Sequence, residues 1–86
     1  ARRAALEAEW RSALERGARH DSELLPLAEE RSRLALAAYR AGNGTLAALF
    51  EARRAELGAR IERAQLDADA VRAWAQLNTL FAGVTP

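Results

Sequence analysis

The sequence predicts an all-α fold, a long antiparallel helical hairpin of coiled-coil character. Three observations predict it. Ala-, Leu-, Glu- and Arg-rich segments of helical periodicity occupy both halves of the chain. The one cluster of strong turn formers, Gly42-Asn43-Gly44, lies at the centre between them. No stretch shows the two-residue alternation or β-branched enrichment of a strand.

The central turn fixes the division of the chain. Gly42 lacks a β-carbon and can take the left-handed conformation that closes a helix. Thr45 can accept a hydrogen bond from the free amides of the next helix's first turn. The capping box is incomplete, because Ala48 stands where Glu or Gln would complete it. The expected division of residues 1–86 is a helix over about 2–40, a tip over 41–44, a second helix over about 45–81 and a tail over 82–86.

In the first arm, Leu6, Trp10, Ala13, Gly17, His20, Leu24, Leu27, Arg31, Leu34 and Ala38 recur at alternating spacings of three and four. Such a seam, with small, polar and charged members, predicts a close but weakly apolar contact. Opposite charges at i,i+4, such as Glu7 with Arg11 and Glu15 with Arg19, read as a solvated face. Pro26 is the irregularity: within a helix it removes a backbone bond and clashes with the preceding turn. It predicts either a kink or a second helix capped by Asp21 or Ser22.

In the second arm, Leu46, Leu49/Phe50, Arg53, Leu57, Ile61, Ala64, Ala68, Val71 and Ala75 form one stripe. Leu66, Ala70, Trp74, Leu77 and Phe81 form another, so this helix is expected to touch neighbours on two sides. Gly58 inside it suggests close helix approach, and Gly83 is expected to cap its end. Each arm, at 1.5 Å per residue, would reach roughly 55–60 Å.

Composition narrows the function. Of the 86 residues half are hydrophobic, but 22 are alanine, so bulky apolar side chains are scarce and a partner surface is expected. Thirteen basic residues, all arginine, face twelve acidic ones, a balance that argues against a nucleic-acid-binding face. There is no cysteine, hence no disulfide or thiolate site. The single histidine, His20, has no second ligand at suitable spacing, so no metal site or cofactor is expected. The carboxylate pairs Glu29/Glu30 and Asp67/Asp69 read as surface groups, and nothing resembles a catalytic constellation. The chain opens on alanine without a signal peptide and is read as a piece of a longer protein.

Tyr39-x-x-Gly42-x-x-Thr45-Leu46, followed by Leu49-Phe50-Glu51-Ala52-Arg53 and by Ala73-Trp74-Ala75-Gln76-Leu77-Asn78-Thr79-Leu80, resembles the second periplasmic hairpin of TolC-like outer-membrane efflux proteins, in particular their cobalt–zinc–cadmium branch. Leu24-Leu25-Pro26-Leu27-Ala28-Glu29 is similar to that family's Leu-Pro-x-Ala-Glu stretch. The likeness spans most of residues 22–81. Asn43-Gly44 departs from it by adding flexibility before Thr45.

The resemblance implies a trimeric channel anchored in the outer membrane, with this hairpin in its periplasmic α-barrel. The tip residues Tyr39, Arg40, Gly42, Asn43, Gly44 and Thr45 would then form the aperture and dock a periplasmic adaptor protein of a tripartite pump, with heavy-metal cations as cargo and an inner-membrane pump beyond. Arg53 would line the lumen or pair between helices. Two other classes are weighed, a self-associating coiled-coil or four-helix-bundle module and, against the charge balance, nucleic-acid binding through the arginine-rich helices; the hairpin alone is expected to dimerise.

Overall fold

A computed structural model describes the backbone of residues 1–84 and the side chains of residues 1–80. The described residues form an all-α hairpin, a rod of 68 × 16 × 15 Å without strands. The first arm comprises α1 (Arg2–Arg19), a five-residue π-helical turn (His20–Leu24) and α2 (Leu25–Arg40). The second arm is one helix, α3 (Leu46–Val84), so Gly83 lies inside the helix rather than capping it. Thr85 and Pro86, expected as part of a tail, lie outside the described residues.

The first arm neither breaks nor starts a new helix at Pro26. Arg19, His20, Leu24 and Leu25 all keep right-handed helical dihedrals. The Leu25 amide donates to the His20 carbonyl, five residues back instead of four. In a regular α-helix the Pro26 ring would press on the Ser22 carbonyl, which would also lose its donor. The wider turn accommodates both losses, and the Ser22 hydroxyl donates to the Arg19 carbonyl at 3.2 Å.

That extra residue changes which side chains face α3. Up to His20 the expected seam is correct: Leu6, Ala13, Gly17 and His20 are buried and Trp10 is half-buried. Beyond it the seam moves forward by one position, to Leu25, Ala28, Ser32 and Ala35/Leu36. Of the expected members Leu24, Leu27, Arg31 and Leu34 are exposed, and only Ala38 is half-buried as expected. Because a helical position turns through about 100°, a one-residue insertion is enough to carry a stripe off its face.

In α3 the buried face is also not the one expected. Leu49, Ala52, Glu56, Ala59, Arg63, Leu66, Ala70, Ala73, Leu77 and Leu80 are buried or half-buried, in unbroken three–four alternation. Of the first expected stripe only Leu49 belongs to it; Leu57, Ile61 and Val71 are at least half exposed. Of the second, Leu66, Ala70 and Leu77 are correct, Trp74 is exposed, and the Phe81 side chain lies outside the described residues. The choice follows from α1 and α2: the chosen face brings Arg63 and the Ala59 carbonyl to the polar middle of the first arm.

The expected pairs Glu7–Arg11 and Glu15–Arg19 are not formed. Glu7 instead accepts from Arg3 at 3.1 Å, and Arg16 reaches the Ser12 carbonyl at 3.4 Å. Gly58 also differs from expectation, since a β-carbon there would meet nothing within 4 Å. Gly58→Ala is therefore expected to raise stability by about 0.5–1 kcal/mol through helix propensity alone. A thermal melt checks it, and destabilisation would show that the space is needed.

Candidate functional site

The tip is built from two interlocking caps. Gly42 has φ +80°, the one positive φ among the described residues. Its amide donates to the Tyr39 carbonyl at 3.1 Å and the Asn43 amide to the Ala38 carbonyl at 2.9 Å. These two bonds form a complete Schellman motif, which satisfies carbonyls that the end of α2 would otherwise leave open. The Gly44 amide adds a third bond, also to the Ala38 carbonyl, at 3.1 Å.

Across the turn, Thr45 Oγ1 accepts the Ala48 amide at 3.0 Å and caps α3 as expected. Gly44 is pressed onto the end of α2: a β-carbon there would stand 3.0 Å from the Ala38 β-carbon and 3.2 Å from backbone atoms of Ala38 and Tyr39. Of the predicted tip residues, Tyr39, Arg40, Gly42, Asn43 and Thr45 are exposed together, while Gly44 is half-buried beneath them. The result is a narrow, backbone-locked end that presents a phenol, a guanidinium and an amide. Arg53, about two turns away, forms only a long 3.5 Å contact to Glu56 on its own helix.

A second constellation lies at mid-rod and was not predicted as a unit. His20 is buried, and its Nε2 donates to the Ala59 carbonyl at 2.6 Å; a carbonyl only accepts, so that nitrogen carries the proton. Gly17 leaves room for the Arg63 guanidinium, whose Nη1 would lie 3.0 Å from a β-carbon at position 17. Arg63 donates to Asp21 across the hairpin at 2.7 Å and to Asp67 at 2.6 Å. Nearer the tip, Arg60 joins Glu29 of the first arm at 3.2 Å and Glu56 at 2.7 Å. Ser32 is almost wholly buried, and its hydroxyl forms no bond of ordinary length and angle.

The electrostatics follow from these contacts. The Arg63 hydrogen bond, aided by that residue's charge and by His20, holds the Asp21 carboxyl below its ordinary 3.8. Arg60 does the same for Glu56, below 4.5, with the nearby Ser32 hydroxyl contributing next. Both shifts are downward, so the stability they confer is present at neutral pH. It is lost as pH falls below the ordinary values and through the lowered folded ones. Helicity followed by circular dichroism is expected to decline in that acid window; helicity unchanged to pH 2 would contradict the coupling. Exposed pairs of this kind are individually weak, so their larger role is to fix the register of the two arms.

Among the described residues no group of three or more His, Asp or Glu side chains is placed to hold a metal ion. No described helix is long and apolar enough to cross a membrane. Sequence reasoning missed the polar layer because Ser32 stood one position off the expected seam and Arg63 belonged to neither stripe. A detectable signal was present: Gly17, His20 and Asp21 precede Pro26, and an arginine flanked by Asp67 one turn on could span a glycine. Comparison with protein-family models, with characterised proteins and with solved structures finds no match.

Proposed function

We propose that the chain is a periplasmic helical segment of a trimeric outer-membrane efflux channel, with its tip docking a periplasmic adaptor of a tripartite export pump. Heavy-metal cations are the proposed cargo, moved by an inner-membrane pump. The observation that carries this reading is the tip: a rod end locked by the four backbone and capping bonds of Gly42, Asn43, Gly44 and Thr45, with Tyr39, Arg40 and Asn43 turned outward. A rigid end with accessible glycine backbone suits a partner hairpin that must approach closely, and the aromatic and guanidinium groups beside it suit an anchoring contact. The Tyr39-to-Leu46 pattern and its downstream run supply the rest of the support.

The test uses the whole parent protein with its adaptor. A photo-cross-linker at Asn43 is expected to capture the adaptor, and Gly44→Val is expected to abolish capture, because its side chain strikes backbone at Ala38 and Tyr39. Unchanged capture by the valine variant would remove the tip from docking. The parent reading frame gives a second check, since alternating-pattern strands and an earlier hairpin of similar tip belong with a channel. A frame without them would leave the second reading, a self-associating structural module, which is favoured by the apolar stripe exposed along α3.

A further inference from the structure

The outward face of α3 is a second seam without an intrachain partner. Phe50, Arg54, Leu57, Ile61, Ala64, Ala68, Val71 and Ala75 are all exposed and alternate at spacings of four and three. Phe50 is 60 %, Leu57 58 %, Ile61 50 % and Val71 64 % exposed, although each would be at home in a core. The inner seam of the same helix carries Glu56 and Arg63, so α3 keeps more large apolar side chains outside than a solvated helix face needs.

We propose that this face is covered by the same face of a second copy of the chain, the two α3 helices running antiparallel about a two-fold axis between Ile61 and Ala64. The argument is shape and charge complementarity along the stripe. Its half nearest the tip is large and its far half is mostly small. Antiparallel pairing sets Phe50 against Ala75, Leu57 against Ala68 and Ile61 against Ala64 of the other copy, a large apolar side chain on an alanine each time, and lays the aliphatic stem of Arg54 along Val71. Parallel pairing would set Phe50 on Phe50 and alanine on alanine, which crowds one end and leaves voids at the other.

The flanking positions agree with the same axis. Glu51 falls opposite Arg72 of the second copy, Arg60 opposite Asp67, and Arg53 opposite the exposed Trp74 ring. Arg60 and Asp67 already have intrachain partners, whereas Glu51 has no contact among those described and Arg72 has one exposed neighbour, Asp69 at 3.2 Å. Glu51 and Arg72 are therefore the pair that reports on the interface. A two-fold axis makes each contact occur twice, so the effect of one pair is doubled. The result is a four-helix assembly joined through α3, with the hairpin seams intact. It stands apart from the channel reading and survives if adaptor docking fails.

The test uses the 86-residue chain, which has no native cysteine. Sedimentation equilibrium at micromolar concentration is expected to give a dimer. Leu57→Cys and Ala68→Cys chains, mixed and oxidised, are expected to cross-link to each other rather than to themselves. Both positions are exposed, so helicity of the separate chains should be unchanged. Glu51→Arg and Arg72→Glu should each raise the dimer Kd about tenfold, and the double variant should restore it to within about threefold. A monomer at that concentration would overturn the proposal. So would Leu57→Cys chains that cross-link to one another, or a dimer in which the mixed cross-link fails to form.

Discussion

Leu77→Ala is expected to lower stability by about 2–5 kcal/mol, enough to shift the melting temperature of a chain this size by roughly 10–30 °C. Leu77 is 7 % exposed and is one of the few large side chains in a seam otherwise filled by alanine, glycine and polar groups. Neighbouring helices in a two-helix rod cannot close around a cavity as a thicker core can, so most of the lost burial remains lost. Leu34→Ala is the matched control. Leu34 is 56 % exposed, and its truncation should stay within about 0.5 kcal/mol. Equal losses in the two variants would mean that the seam runs through Leu34, and that the π-helical turn does not shift the first arm as described.

Ser32→Asp is expected to be nearly as damaging. Ser32 is 1 % exposed, beside the Glu56 carboxylate, so the variant places a second carboxylate where water cannot reach it. A loss of about 3–5 kcal/mol is expected at pH 7, the range for an uncompensated buried charge. Burial and the neighbouring negative charge both raise the introduced group's folded pKa above its unfolded one. The penalty is therefore greatest at high pH and is relieved as pH falls toward the unfolded value near 3.9. Below that point the variant should approach the parent chain, even as both lose the contribution of Asp21 and Glu56. Arg31→Asp, one residue away on an exposed position, should leave the melt almost unchanged. A large loss there and a small one at position 32 would reverse the assignment.

The tip was legible in the sequence because its chemistry is local. A glycine that must take a positive φ and a threonine three residues before a free amide lie within seven residues of chain, whereas the seating of Gly44 against α2, where the sequence suggested only added flexibility, was not legible. Backbone sterics decide such features before any tertiary contact forms. The two long arms were legible for a similar reason, since periodic leucine and alanine over nearly forty residues leave no competing secondary structure.

The mid-rod layer was not legible, because it depends on which faces meet. Pro26 announced an irregularity, yet a kink, a break and a wider turn all answer the same missing amide. Only the π-helical turn inserts a residue into the register, and that insertion exchanges Leu24, Leu27, Arg31 and Leu34 for Leu25, Ala28, Ser32 and Ala35/Leu36. Likewise α3 carries apolar residues on two faces, and hydrophobicity alone favours the one with Leu57 and Ile61. The structure buries the other, where Arg63 can lie over Gly17 and reach Asp21, and where Ala59 can accept from His20.

The sequence by itself thus determined a helical hairpin, its turn and the two caps that flank that turn, all consequences of residue-by-residue backbone preference. Tertiary structure alone decided the inner and outer faces of each arm. That choice is a joint property of two helices in register, and a buried charge or hydroxyl is tolerated only where the opposite helix supplies the room or the partner.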